Sequence, residues 1–284
     1  MKFFTPEWYR DVQITSLGLN FKSCAAAADP RDGDYEKQYE KWVKDQLSYE
    51  KKVSKMTFID QFPAPDPVSM SFIPPEERDA IKKDYNDSLD EFRAMFDSRE
   101  KYDEDKLRAV YGKTAEEETE RISSLLSEDI LALIPDRRFI GISLLPPKAK
   151  RKLDRLAKEC DTRVKNTLSD YDKHYYEIEE SLPGCLTDDS FALHDAAVTG
   201  YSYENGCVTL TLDTECSYSN ISRLILSGVT AVSGDPTGAF WLYDELHTDG
   251  DKITLGVLMS RDDRVFTFEC TFSKAETEVT LRKI

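Results

Sequence analysis

The sequence has no apolar run approaching the roughly 20 residues that cross a bilayer, and its opening Met1-Lys2-Phe3-Phe4-Thr5-Pro6-Glu7-Trp8 lacks the apolar core of a secretory signal. Both absences predict a cytoplasmic protein that does not insert in a membrane. Cysteine is scarce and scattered: Cys24, Cys160, Cys185, Cys207, Cys216 and Cys270 form no Cys-x-x-Cys pair. That excludes zinc-ribbon and thioredoxin patterns and predicts free thiols. The three histidines, His174, His194 and His247, show neither His-x-x-x-His nor His-Glu-x-x-His spacing, so the zinc-peptidase motif is missing. Gly-x-Ser-x-Gly and Gly-x-Gly-x-x-Gly are missing too, which removes the marks of a serine hydrolase and of a dinucleotide site. Gly234-Asp235-Pro236-Thr237-Gly238 lacks the Gly-Lys-Ser/Thr ending of a phosphate loop and precedes a strand pattern, so it reads as a turn. No cofactor is predicted.

Positive charge is also in short supply. Lys and Arg number 38 against 54 Asp and Glu, a net charge of −16. A polyanion would be repelled, and no basic patch stands out to offset that, so neither nucleic acid nor an anionic membrane is an expected partner. The expected partner is another protein, a basic one, with the oligomeric state left open. What the sequence does hold is 14 Tyr, 14 Phe and 3 Trp among 284 residues, enough aromatic bulk to exclude a disordered chain.

Side-chain rhythm changes near Leu182-Pro183-Gly184, where charged residues drop from 37% of positions 1–185 to 23% of positions 186–284. Before the break the period is helical. Tyr35, Tyr39, Trp42, Val43, Gln46, Tyr49, Val53 and Met56 recur three or four apart. The prolines of Phe62-Pro63-Ala64-Pro65-Asp66-Pro67 interrupt the helix. Pro74-Pro75-Glu76-Glu77 opens another, with Ile81, Tyr85, Leu89, Phe92 and Phe96 as its buried stripe. Thr114-Ala115-Glu116-Glu117 reads as a capping box starting a further helix through Ile122, Leu126, Ile130 and Leu133. The longest stripe starts at Pro146-Pro147 and runs from Leu153 through Cys160, Val164, Tyr171 and Ile178 to Leu182. After the break the period is two. Asn205-Gly206 is a hairpin signal, and Val208/Leu210/Leu212, Leu224/Leu226, Ile253/Leu255/Val257/Met259 and Phe266/Phe268/Cys270/Phe272 are inward rows, with Asp249-Gly250 and Arg261-Asp262-Asp263 as tight connections and Val279 and Leu281 marking a last strand. With no crossover helices between them, these strands must be antiparallel. The reading is α+β: an N-terminal helical bundle or hairpin over 1–184, then an antiparallel β-sheet or small sandwich over 185–284.

Two clusters carry candidate chemistry. Strict alternation along Phe240-Trp241-Leu242-Tyr243-Asp244-Glu245-Leu246-His247 puts Trp241, Tyr243, Glu245 and His247 on one face. Rigid aromatic area with polar ends suits partner binding; the same rings equally suit a core with Glu245 and His247 turned to water. Asp170, His174 and Glu177 lie one helical turn apart, a spacing open to a metal ion but shared by ordinary surface ion pairs.

The opening Met1-Lys2-Phe3-Phe4-Thr5-Pro6-Glu7-Trp8-Tyr9, with Leu193-His194-Asp195-Ala196 and Trp241-Leu242-Tyr243-Asp244-Glu245, resembles an uncharacterised family of bacterial proteins, mainly Gram-positive, marked by an N-terminal Phe-Phe-Thr-x-Glu-Trp-Tyr signature and a β-rich C-terminal part. The resemblance implies a bacterial, cytosolic setting and brings no activity, cofactor or catalytic residue. With no catalytic signature in the chain, the first reading is a non-catalytic protein-binding module, adaptor or antidote-like, with an acidic surface. The alternatives are a metal-assisted hydrolase gathering Asp195, Asp244 and Glu245 beside His194 and His247, and a purely structural role.

Overall fold

The computed structural model describes residues 1–187, 191–262 and 264–280. Its helices are α1 (Pro6–Asn20), α2 (Asp34–Val53), α3 (Phe58–Gln61), α4 (Pro67–Met70), α5 (Pro75–Asp87), α6 (Leu89–Asp97), α7 (Glu104–Leu125), α8 (Glu128–Leu131), α9 (Arg138–Gly141), α10 (Pro147–Ile178) and α11 (Gly184–Thr187). A two-residue parallel pair, β1 (Lys22–Ser23) with β2 (Leu144–Leu145), lies among them. Eight strands follow: β3 (Ala197–Glu204), β4 (Cys207–Asp213), β5 (Ile221–Ser227), β6 (Ala231–Ser233), β7 (Phe240–Asp249), β8 (Lys252–Arg261), β9 (Arg264–Phe272) and β10 (Lys274–Val279). All eight pair antiparallel. The fold is therefore α+β, helices first and an antiparallel sheet second.

Two compact units divide the chain, one made of Met1–Asn20 with the residues from Lys152 onward, the other of Phe21–Arg151. The changeover from helix to strand lies between Thr187 and Ala197, near the proline-glycine joint, while α1 and α10 from Lys152 group with the sheet. Packing explains this grouping. Tyr175, Ile178 and Leu182 join the apolar core of the sheet, and Val164 and Tyr171 pack with Phe3, Phe4 and Trp8.

The strand order is β10-β5-β4-β3-β7-β8-β9-β6. Ser273 alone joins β9 to β10, which stand six places apart in that order. Laid flat, strands about 4.8 Å apart would put them near 29 Å from each other, far beyond the reach of one residue. The sheet must fold over on itself, and the Tyr201–Phe268 rings meet at 6.1 Å between β3 and β9. The enclosed core holds the expected rows: Val208, Leu210, Leu212, Leu224, Leu226, Leu255, Val257, Met259, Phe268, Cys270 and Phe272. Asn205 and Gly206 both take positive φ, 51° and 72°, as a two-residue hairpin of matching twist requires. Leu281 and Asp263, expected in the last strand and the β8–β9 connection, lie outside the described residues.

Three helical expectations are corrected. The helix entered at Pro74-Pro75 is two helices, because Ser88 ends α5 and starts α6. Its expected stripe, Ile81, Tyr85, Leu89, Phe92 and Phe96, is only half-buried. The Thr114 box sits inside α7, whose actual N-cap is Asp103, its carboxylate accepting from Lys106 N–H at 3.0 Å; a good cap upstream and apolar residues between let the helix run through Thr114. The longest helix ends at Ile178, four residues before Leu182.

In the unit of residues 21–151, α9 crosses α7 at Gly141. A Cβ there would stand 1.9 Å from the Ala115 carbonyl oxygen and 2.4 Å from Thr119 Oγ1, and buried Phe139, Ile142, Ala115 and Ala27 surround the crossing. Gly141→Ala is expected to lower stability by about 2–4 kcal/mol, because backbone would have to move; a urea unfolding midpoint equal to wild type would contradict this close approach.

Candidate functional site

The expected row on β7 does not survive folding. Trp241 pairs with Met259 but Tyr243 with Leu258, so Leu242 is an extra residue, a β-bulge that shifts the alternation. Trp241 faces the sheet core, fully buried, and Tyr243, Glu245 and His247 face the other way. Asp244 keeps company with Trp241, whose Nε1–H donates to its Oδ1 at 2.9 Å. Trp241 and Glu245 expose no surface to a partner. Tyr243 and His247 remain partly exposed.

Glu245 is the centre of the outer face. It sits opposite Gly256 on β8, which sits opposite Glu269 on β9, so two carboxylates flank a position without a side chain. A Cβ at Gly256 would lie 2.8 Å from Met1 Cγ and 3.3 Å from Glu245 Cγ. Residues 1–4 lie along this gap. The Met1 amino group pairs with Glu269, and Lys2 N–H donates to Glu245 Oε1. Phe3 and Phe4 N–H donate to Oε2 at 2.7 and 3.0 Å. His247 Nε2 donates to Oε1 at 3.0 Å. A buried carboxylate needs such donors. Burial opposes its ionisation, but the His247 ring and the N–H groups of Phe4, Lys2 and Phe3 outweigh that and hold its pKa at about 2.

Rings close over this network. Phe3 stacks on His247 at 5.9 Å, and Phe4 meets Tyr171 edge-on at 4.7 Å. Trp8 meets Tyr243 edge-on at 4.9 Å; each such pair contributes about 0.5–1.5 kcal/mol beyond burial. From α10, Tyr171 Oη accepts the Leu246 N–H and His174 Nε2 lies 3.1 Å from the Leu246 carbonyl. A carbonyl only accepts, so His174 Nε2 carries the proton.

The remaining candidates do not gather. Asp170 pairs with Lys173, and His174 serves Leu246, so Asp170, His174 and Glu177 do not converge. Asp195 lies 3.9 Å from His194, while Asp244 and Glu245 point to opposite faces of β7. Among the described residues no three His, Cys, Asp or Glu side chains are placed to hold a metal ion, and no hydrogen bond joins His247 to a serine or cysteine. The arrangement anchors a chain segment to a sheet. Sequence reading missed this role of Lys2, Phe3 and Phe4; the one available signal was the density of aromatics at Phe3, Phe4, Trp8 and Tyr9.

Asp244 and Glu245 shift in opposite directions. Burial pushes Asp244 up to about 6, the Trp241 N–H notwithstanding. Glu245, held below its ordinary 4.5, gives stability that is complete above pH 4.5 and is lost as pH falls toward 2. Glu245→Gln puts an amide N–H against backbone donors and is expected to cost about 3 kcal/mol at neutral pH, read as a lower urea midpoint with a flatter acid limb; an unchanged acid limb would count against the carboxylate. Asp244, held above its ordinary 3.8, stabilises the fold while protonated, and that contribution is lost as pH rises through 6. Asp244→Asn is thus expected to raise thermal stability above pH 6 and leave it unchanged below pH 3.8, with equal melting curves above pH 6 the opposing result.

No curated protein matches this chain. No solved structure matches it either. One family model does, over residues 80–270, a span that takes in α7, α10, Tyr171, His174 and the Glu245–Gly256–Glu269 row. The chain belongs to the family described as protein of unknown function (DUF4085).

Proposed function

We propose that this protein is a non-catalytic protein-binding module that docks a basic amphipathic segment on residues 58–97. One observation carries the reading. Across those forty positions Met70 is the only buried residue among those described, while Ile59, Val68, Phe72 and Met95 are 72%, 66%, 85% and 55% exposed. Large apolar side chains concentrated in one exposed stretch mark an interaction surface. Its sparse core consists of ring contacts, Phe62 on Phe92 at 4.9 Å and Phe58 on Phe96 at 5.7 Å. Acidic residues outnumber basic ones ten to four over 58–97, so a basic partner would be steered to it. The β7 network supports a binding role over catalysis, since its carboxylate and imidazole groups are engaged by the chain itself.

A fluorescent Lys/Leu amphipathic peptide titrated into the full chain tests the reading. Phe72→Ser/Met95→Ser is expected to weaken binding about tenfold or more, with Tyr218→Ser, at an exposed site in the β4–β5 connection, behaving as wild type. Equal affinity of the double variant, or no binding by wild type, would overturn it.

A further inference from the structure

Against the expectation that no basic patch exists, α2 carries one. Lys37, Lys41, Lys44 and Lys51 recur at spacings of four, three and seven, with Ser48 filling the gap and Lys55 just beyond the helix end. At 100° per residue these side chains fall within a sector about 80° wide that contains no acidic residue of the helix. All are exposed, and none forms an ion pair among the described residues. Several cations elsewhere are paired, Arg108 with Glu40 and Glu104, Arg121 with Glu118, Lys113 with Glu117 and Lys165 with Asp161; what marks the α2 lysines is their alignment on one face. Three of the five acids of α2 are engaged by groups outside it, Glu36 by Arg138, Glu40 by Arg108 and Glu50 by the Tyr111 hydroxyl. Like charges at i, i+3 and i, i+4 repel, so the stripe stands without internal compensation in a chain of net charge −16.

Beside it runs a groove of about 630 Å³ lined by Lys41, Lys44, Lys51, Leu47 and Tyr102 and by Glu40 and Glu104, both neutralised by Arg108. Leu47 is buried and Tyr102 half-buried, so the groove offers a small apolar floor next to the cationic row. We propose that α2 is a docking surface for an acidic amphipathic helix of a partner protein, its carboxylates on the lysine stripe and an apolar side chain in the groove. The width of the stripe selects this occupant. On the helical wheel Glu36 and Glu40 border it on one side and Asp34 and Asp45 on the other. A duplex or a membrane surface spreads its charge over both borders and meets those acids, whereas a single helix lays one row of carboxylates along the lysines. The stripe shares no residue with 58–97 and selects the opposite charge, so the two readings are tested by different peptides and stand or fall apart.

The test is a titration of the full chain with a labelled Glu/Leu amphipathic peptide of about 20 residues, beside a DNA duplex and anionic phosphatidylserine vesicles. The peptide is expected to bind about tenfold more tightly at low than at high salt. Lys41→Glu/Lys44→Glu/Lys51→Glu should abolish binding with an unchanged melting curve, while a control of equal charge change at exposed lysines outside both surfaces, Lys148→Glu/Lys158→Glu/Lys274→Glu, should retain most of it. No peptide binding, equal loss in both triple variants, or tighter binding to DNA or vesicles would overturn the proposal. Loss of Lys/Leu peptide binding in Phe72→Ser/Met95→Ser would leave it standing.

Discussion

A carboxylate shut away from water must be matched by donors, and Glu245 draws its donors from two directions. His247 comes from the same strand; Lys2, Phe3 and Phe4 come from a segment more than 240 residues away in sequence. Because those donors are backbone N–H groups, the charge constrains the path of residues 2–4 irrespective of their side chains. Gly256 leaves the space in which that path can run, and Glu269 across the gap holds the Met1 amino group. Once residues 1–4 are placed, Phe3, Phe4 and Trp8 form the ring cluster with Tyr171 and Tyr243, and α1 continues along α10. There Arg163 binds Asp11 through two hydrogen bonds of 2.7 and 2.8 Å, and Gly18 lies so close to Ala157 that a Cβ would stand 2.5 Å from its methyl.

The bulge at Leu242 decides the chemistry of the neighbouring acids. Adjacent carboxylates with opposed pKa shifts are what an acid and a base need, but the bulge leaves Asp244 with the Trp241 indole on the core side and Glu245 with backbone donors on the other. No reacting atom could meet both. The opposed shifts therefore record two structural environments, one that resists charge and one that is built around it.

The helical unit of residues 21–151 is organised by different physics. Its centre is the contact of α7 with α9 at Gly141 and the aromatic side chains Tyr35, Tyr39 and Trp42, while among the described residues of 58–97 only Met70 is buried and the rest of its apolar side chains are half-buried or exposed. Conformational entropy weighs heavily on a segment with so little burial, and its exposed apolar side chains, like the uncompensated lysines of α2, are features that stability alone does not explain. In a binding module, surfaces of opposite preference would allow two partners to be held by one chain.

Much of the fold is legible from local chemistry. Period-two rows such as Val208/Leu210/Leu212 and the Asn205-Gly206 turn specify antiparallel strands, and the stripe from Leu153 to Ile178 specifies a long helix, because side-chain spacing and turn stereochemistry are properties of neighbouring residues. The lysine spacing of α2 was also present in the sequence, hidden by the acids interleaved with it until the wheel separates them. The candidate site is another matter. That Trp241 and Glu245 face opposite ways depends on a one-residue register shift against β8, and that Lys2–Phe4 bind Glu245 depends on strands β7, β8 and β9 standing side by side. Those are long-range choices, made where a buried charge, a missing side chain at Gly256 and a cluster of rings are satisfied together, and no local pattern carries that information.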